Sequence, residues 1–181
     1  IPDGTNWDAE AVLAYDDSLY IFTKNWTDER THRYALPARP GEQVALRRSE
    51  FDTQGLITGA TRDPDQGTIV LLGHSRLSME PFIWILRPSP DQGPFGGATS
   101  RHVLTVSPMQ AEAIAHTQHG QVIIGNERIP SLDQALWSLT LPLGISNPGP
   151  SARAISIFPV PADRYMHVQG ADTGQQVRIL E

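Results

Sequence analysis

Apolar residues come in short runs along this chain, and none of them sustains the three-to-four spacing of an amphipathic helix. The stretch DAEAVLAYDDSLYIFTKN (8–25) reads as two apolar strands around a turn at Asp16-Asp17. GLITGATRDPDQGTIVLLGHS (55–75) repeats that design, with Asp63-Pro64-Asp65-Gln66-Gly67 between its apolar runs. QAEAIAHTQHGQVIIGNE (110–127) does so again, turning at His119-Gly120. A third apolar run follows each pair and ends at proline: RYALP (33–37), FIWILRP (82–88) and ALWSLTLP (135–142). Helical periodicity is missing apart from a short turn expected near 107–114.

The first and third copies share more than a pattern. Both read x-Ala-Glu-Ala-apolar, then a polar turn, then an apolar strand ending in small or polar residues. Whole three-strand units therefore recur, roughly 50 residues apart, which is the range of a propeller blade. This predicts an all-β fold in which residues 1–142 form three blades of a β-propeller, half of a six-bladed ring. A β-sandwich also spaces short strands in this way and is the alternative. Recurrence of whole units, and not of single strands, favours the propeller.

Composition narrows the function classes. Apolar content of 39% and aromatic content of 7% are ordinary for a globular protein, and 15 Gly with 15 Pro suit many short strands joined by turns. The formal net charge of -6, with basic residues scattered, argues against a nucleic-acid surface. No apolar run approaches the roughly 18–20 residues that cross a bilayer. The absence of cysteine removes disulfides and thiol chemistry. Among the 14 basic residues only Lys24 is a lysine, a bias that fits a GC-rich genome or a demanding habitat. The chain opens on Ile1-Pro2 without an initiator Met, and reads as a fragment or a processed product.

Residues 143–153, LGISNPGPSAR, are rich in Gly, Pro and Ser and read as a linker. Over 154–181, Ile157 and Val168 bracket one strand, Asp172-Thr173-Gly174 turns, and Val177 and Ile179 alternate in another. Pro159 and Pro161 suit a strand start or an edge, where a missing N–H breaks no ladder.

Long phrases of residues 1–142 resemble the second half of a propeller family exported by bacteria that use the type IX secretion system. They are IPDGTNWDAEAVLAYDDSLYIFTKNWTDERTHRYALPARPGEQVA, FDTQGLITGATRDPDQGTIVLLGH and PFIWIL. That resemblance implies about three preceding blades and no settled activity. Residues 155–181 resemble the start of the C-terminal sorting domain of type IX substrates, a small immunoglobulin-like sandwich. The likeness rests on the run from Ile155 to Pro161, including Ile157, Phe158, Pro159 and Pro161, then Tyr165, Val168, Val177 and Ile179. Val160 departs from the usual Asn, and the usual Gly-Arg step and later strands are not present by Glu181, so an incomplete export signal is expected. The resemblance implies a secreted or outer-surface protein with the type IX machinery as partner. It also implies a ring closed by N-terminal blades or by a second copy.

The usual catalytic motifs are missing: no nucleophile elbow, no His-Glu-x-x-His, no phosphate loop and no EF-hand loop. The Ser and His of GHSR (73–76) are strand neighbours on opposite faces. The sequon NWT (25–27) is a coincidence in a bacterial chain. His32, His74, His102, His116, His119 and His167 do not fall at metal-ligand spacing, and His116 and His119 flank a turn where imidazoles are expected to be solvated.

Glu10 and Glu112 form the one promising constellation. They hold equivalent places in two copies, on the strand that lines a propeller channel, and Asp8 shares the face of Glu10. Converging carboxylates suit calcium as a cofactor. Alternatively, each Glu accepts hydrogen bonds from the neighbouring blade's backbone and locks the blades. The expected function is a ligand- or partner-binding module without catalysis. A calcium-dependent hydrolase of phosphoesters or lactones at the channel mouth is the alternative, and a structural module in a surface assembly the third reading.

Overall fold

The structure is a computed structural model that describes residues 8–89, 91, 95–106, 108–117 and 120–141, together with the backbone of 155–158 and 167–169. The first sheet is an antiparallel meander of β1 (Ala9–Tyr15), β2 (Ser18–Thr23), β3 (Arg30–Pro37) and β4 (Leu46–Asp52). The second repeats the order with β5 (Leu56–Arg62), β6 (Ile69–His74), β7 (Pro81–Leu86) and β8 (Thr99–Val103). The third runs β9 (Ala111–His116), β10 (Gln121–Asn126) and β11 (Ala135–Thr140), and continues through β12 (Ile155–Phe158) and β13 (His167–Gln169). β12 pairs antiparallel with β11, Leu136 opposite Ile157. The fold is all-β, with no helix among the described residues.

One detail differs from expectation. The chain from Ala111 is extended where a short helical turn was expected near 107–114, because Ala111 to His116 pair along β10. The sequence implied at least three strands per unit, and the first two sheets have four. β4 (LRRSEFD) is exposed at all but Phe51, so no apolar rhythm marks it. Of the sorting-motif residues, Ile157 and Phe158 fall in β12 and Val168 in β13. Pro159, Pro161, Tyr165, Val177 and Ile179, like the linker 143–153, lie outside the described residues.

The tight turns follow local chemistry. Asp16 adopts φ 49 between β1 and β2, and Gly67 and Gly120 adopt φ 70 and 69 before β6 and β10. Asp63 Oδ1 accepts from the amides of Asp65 (2.9 Å) and Gln66 (3.1 Å), which closes the β5–β6 turn.

The three sheets stack face to face with the second in the middle. β6 is buried at every residue and β7 at all but Trp84. Strand alternation sends Val70, Leu72, Ile83 and Ile85 toward the third sheet, where they pack with Ala111, Val122 and Ile124. Ile69, Leu71, Phe82 and Leu86 face the other way, onto Ala11, Leu13 and Phe22 of the first sheet. The outer sheets bury one face each. Val12, between Ala11 and Leu13, is 55% exposed, and Ala113 and Ala115 of β9 are exposed.

A fully buried middle sheet makes stability depend on position. Leu72→Ala should lower the unfolding free energy by about 2–5 kcal/mol, through lost burial and a cavity. Val12→Thr should change it by no more than about 0.5 kcal/mol. Urea denaturation of both variants measures this, and equal costs would contradict the stacking.

Candidate functional site

The first strands β1, β5 and β9 are each an edge strand of their sheet, β5 lies against both of the others, and each carries a bulge at the same place. In β1, Ala9 pairs with Thr23 and Ala11 with Phe22, so Glu10 is the extra residue. In β5, Ile57 pairs with Gly73 and Gly59 with Leu72, leaving Thr58 extra. In β9, Ala111 pairs with Asn126 and Ala113 with Gly125, leaving Glu112 extra. A bulge breaks side-chain alternation and re-aims the added residue.

The residues paired two positions before each bulge are equivalent as well. The Lys24 amide donates to Asp8 O (2.7 Å) and the Glu127 amide to Gln110 O (2.9 Å), while His74 pairs with Leu56. Lys24, His74 and Glu127 thus occupy one position in three sheets, at the end of each second strand.

Side chains knit the bulged strands together where no ladder joins them. Thr58 Oγ1 donates to Ala111 O (2.5 Å), and the His116 amide donates to Thr61 Oγ1 (2.9 Å). Gly59 permits the close approach: a Cβ there would stand 3.0 Å from Ile114 Cγ2.

Lys24 collects both glutamates. Its Nζ donates to Glu10 Oε2 at 2.9 Å and lies 3.6 Å from Glu112 Oε1. The lysine side chain is only 5% exposed, against 28% for Glu10 and 20% for Glu112. The ammonium therefore joins the first sheet to the third. Glu112 Oε1 is buried and has no hydrogen-bond partner, so its attraction to Lys24 is electrostatic at longer range. Trp26, 45% exposed, lies over the ammonium with 5.2 Å from Nζ to the ring centroid. Its Nε1 donates to Asp8 Oδ2 at 3.3 Å.

Burial is the main force on the Glu10 carboxyl and pushes its pKa above the ordinary 4.5. The hydrogen bond and charge of Lys24 oppose the rise, and the charges of Glu112 and Asp8 add to it. His74, 3% exposed, is pushed below the ordinary 6.5 chiefly by burial, with the Lys24 charge adding to it. Its Nδ1 lies 3.1 Å from the Ser75 carbonyl oxygen, which can only accept, so Nδ1 carries the proton. The buried Nε2 of this neutral ring then holds a lone pair without a hydrogen-bond partner.

Structure thus places Glu10 and Glu112 at one cluster, with Asp8 beside it through Trp26. Glu10 pairs with a side chain of its own sheet and not with a neighbour's backbone. The cation between the carboxylates is Lys24, and among the described residues no group of three or more His, Asp or Glu side chains converges as a metal site. His116 is not solvated as expected: its side chain is 8% exposed and Nε2 lies 3.4 Å from Asp63 Oδ2. Asp63 stays below the usual carboxylate range although burial pushes it up, because the Gln66 and Asp65 amides and His116 stabilise the anion. His119 lies outside the described residues. Lys24 and His74 are what sequence reasoning missed. Their shared place at the end of an aligned second strand, and Lys24's standing as the sole lysine, were the available signals.

No family model, curated protein or solved structure matches the chain.

Glu10 and Asp63 pull the pH dependence of folding in opposite directions. A carboxyl with a raised folded pKa holds its proton more tightly folded than unfolded, so Glu10's contribution to stability is greatest at low pH and is lost as pH rises from about 4.5 through the folded pKa, whereas the depressed Asp63 contributes in the opposite sense, losing its share as pH falls. Glu10→Gln should flatten the Glu10 part of the slope. Lys24→Met should extend the loss to higher pH and cost about 3–5 kcal/mol at neutral pH, because it leaves two carboxylates without their cation. Thermal unfolding across pH 3–8 measures both effects, and an unchanged profile in Glu10→Gln would contradict the assignment.

Proposed function

We propose that this chain forms three β-propeller blades of a secreted or surface-displayed protein and works by binding a ligand or partner without catalysis. What carries the reading is the repeated bulge, which places Glu10, Thr58 and Glu112 at equivalent positions near the start of three neighbouring edge strands. Equivalent side chains meeting near an axis are how a propeller builds a binding mouth. The open outer faces of the first and third sheets favour closure by further blades or by a second copy.

The mouth would favour a cationic or hydrogen-donating partner. Asp8, Glu10 and Glu112 outnumber Lys24 in charge, and Trp26 offers an exposed ring beside them. The calcium-dependent hydrolase is the weaker reading, since calcium would have to displace Lys24 from both glutamates.

Export is proposed to run through the type IX machinery, with 143–153 as linker and 154–181 as the start of an immunoglobulin-like sorting domain. This part rests on the sequence motif alone, and the pairing of β12 with β11 in the third sheet does not support a separate domain.

Two measurements check the proposal. With p-nitrophenyl phosphate and dihydrocoumarin, with and without calcium, we expect no hydrolysis above buffer. Calcium-dependent turnover that disappears in Glu10→Gln and Glu112→Gln would overturn the non-catalytic reading. In a bacterium with type IX secretion, the protein expressed from its own gene should reach the surface or medium, and deletion from residue 154 onward should retain it inside. Unchanged export of the deletion would remove the sorting assignment.

A further inference from the structure

We propose that a cavity between the first two sheets, separate from the glutamate–lysine cluster, is a binding site for a flat, apolar monocarboxylate. The cavity measures about 420 Å³, and its walls include Tyr20, Phe22, Thr31, Arg33, Phe51 and Phe95. That size suits a small organic molecule, as sites of roughly 300–1,000 Å³ do.

Aromatic side chains hold its shape. Phe95 meets Tyr20 edge-on with centroids 4.8 Å apart and lies tilted against Phe22 at 5.9 Å. Phe51 is braced edge-on by Trp84 at 4.7 Å. Such walls favour flat apolar bodies, because the rings are already ordered before a ligand arrives.

Two polar groups inside point to an acceptor. Thr31 and Arg33 are two apart on β3 and so share one face of the sheet. Thr31 is 1% exposed, and its buried Oγ1 has no hydrogen-bond partner. Arg33 Nε is buried and also unpartnered, and its guanidinium rests on the rings of Phe95 (4.0 Å) and Tyr20 (5.7 Å). Burial holds the guanidinium below its usual pKa, and the nearby Arg48 lowers it further. Glu50, the acid on the cavity wall, is already engaged by Arg30 at 3.0 Å and Arg47 at 2.6 Å.

Buried donors without partners are rare in folded proteins and costly to leave unmade. One carboxylate accepting from Arg33 Nε and Thr31 Oγ1 satisfies both and supplies the single negative charge that Arg33 lacks. A dianionic phosphate would place its second charge near Glu50, which disfavours it. The monocarboxylate is the better fit.

Isothermal titration of the intact chain with 2-naphthoate, 2-naphthylmethanol and 2-naphthyl phosphate tests this. Naphthoate should bind at least about tenfold tighter than the neutral alcohol, the usual scale for a hydrogen bond to a charged group. Arg33→Met should erase that preference, and Thr31→Val should weaken naphthoate roughly three- to tenfold. Ser49 lies opposite Arg33 on β4, is exposed, and lines the cavity. Ser49→Trp should therefore block naphthoate without disturbing the core, which keeps the test decisive if Arg33→Met fails to fold. The proposal is overturned if the wild type binds no naphthoate at millimolar concentration. It is equally overturned if alcohol or phosphate binds as well as the carboxylate, or if Ser49→Trp leaves binding intact.

Discussion

A β-strand that buries both faces cannot be stable on its own, and β6 and β7 are such strands. Their side chains alternate between two apolar layers, so the second sheet requires a sheet on either side. Each fully buried Leu, Ile or Phe contributes about 1.5–3 kcal/mol only when its neighbour is in place. The stacking order, the closeness of β1, β5 and β9, and the Gly59 approach to Ile114 are consequences of that requirement. Layers packed this way bring the bulged ends of the first strands together, and with them their charged residues.

That meeting has an electrostatic cost, which Lys24 answers. Two glutamates from non-adjacent sheets would repel each other in partly buried surroundings, and burial already disfavours the Glu10 anion. A buried ammonium offsets both effects and demands a particular alignment of first and third sheets, because a shift would strand a charge. The cluster is therefore a joint with a polar, partly exposed outer side. Its partly exposed carboxylates and Trp26 face the surroundings, while the lysine below them is closed off.

Much of the fold was legible in the residues. Paired apolar runs with acidic or glycine turns marked β1–β2, β5–β6 and β9–β10, and terminal prolines marked the third strands. β4 escaped because an exposed edge strand such as LRRSEFD has no buried face to leave an apolar rhythm. Glu10 and Glu112 could be matched by their Ala-Glu-Ala frames, but Thr58 stands at the same bulge in Ile-Thr-Gly, where nothing in the wording reveals it. Lys24 was visible as an isolated lysine, yet its role depends on a pairing register. His116 was misjudged as solvated because its partner, Asp63, comes from another sheet. The cavity around Arg33 was not legible at all, since it is formed by one sheet's face lying over another's.

The central claim is that Glu10 and Glu112 share Lys24 as one interacting unit. A mutant cycle measures it directly: unfolding free energies at neutral pH for Lys24→Met, for Glu10→Gln with Glu112→Gln, and for all three together. If the three side chains act as a unit, the triple variant is more stable than Lys24→Met alone, because neutral amides remove the stranded charges. If the triple variant instead shows the sum of the separate losses, the side chains are independent and the account of the site is wrong.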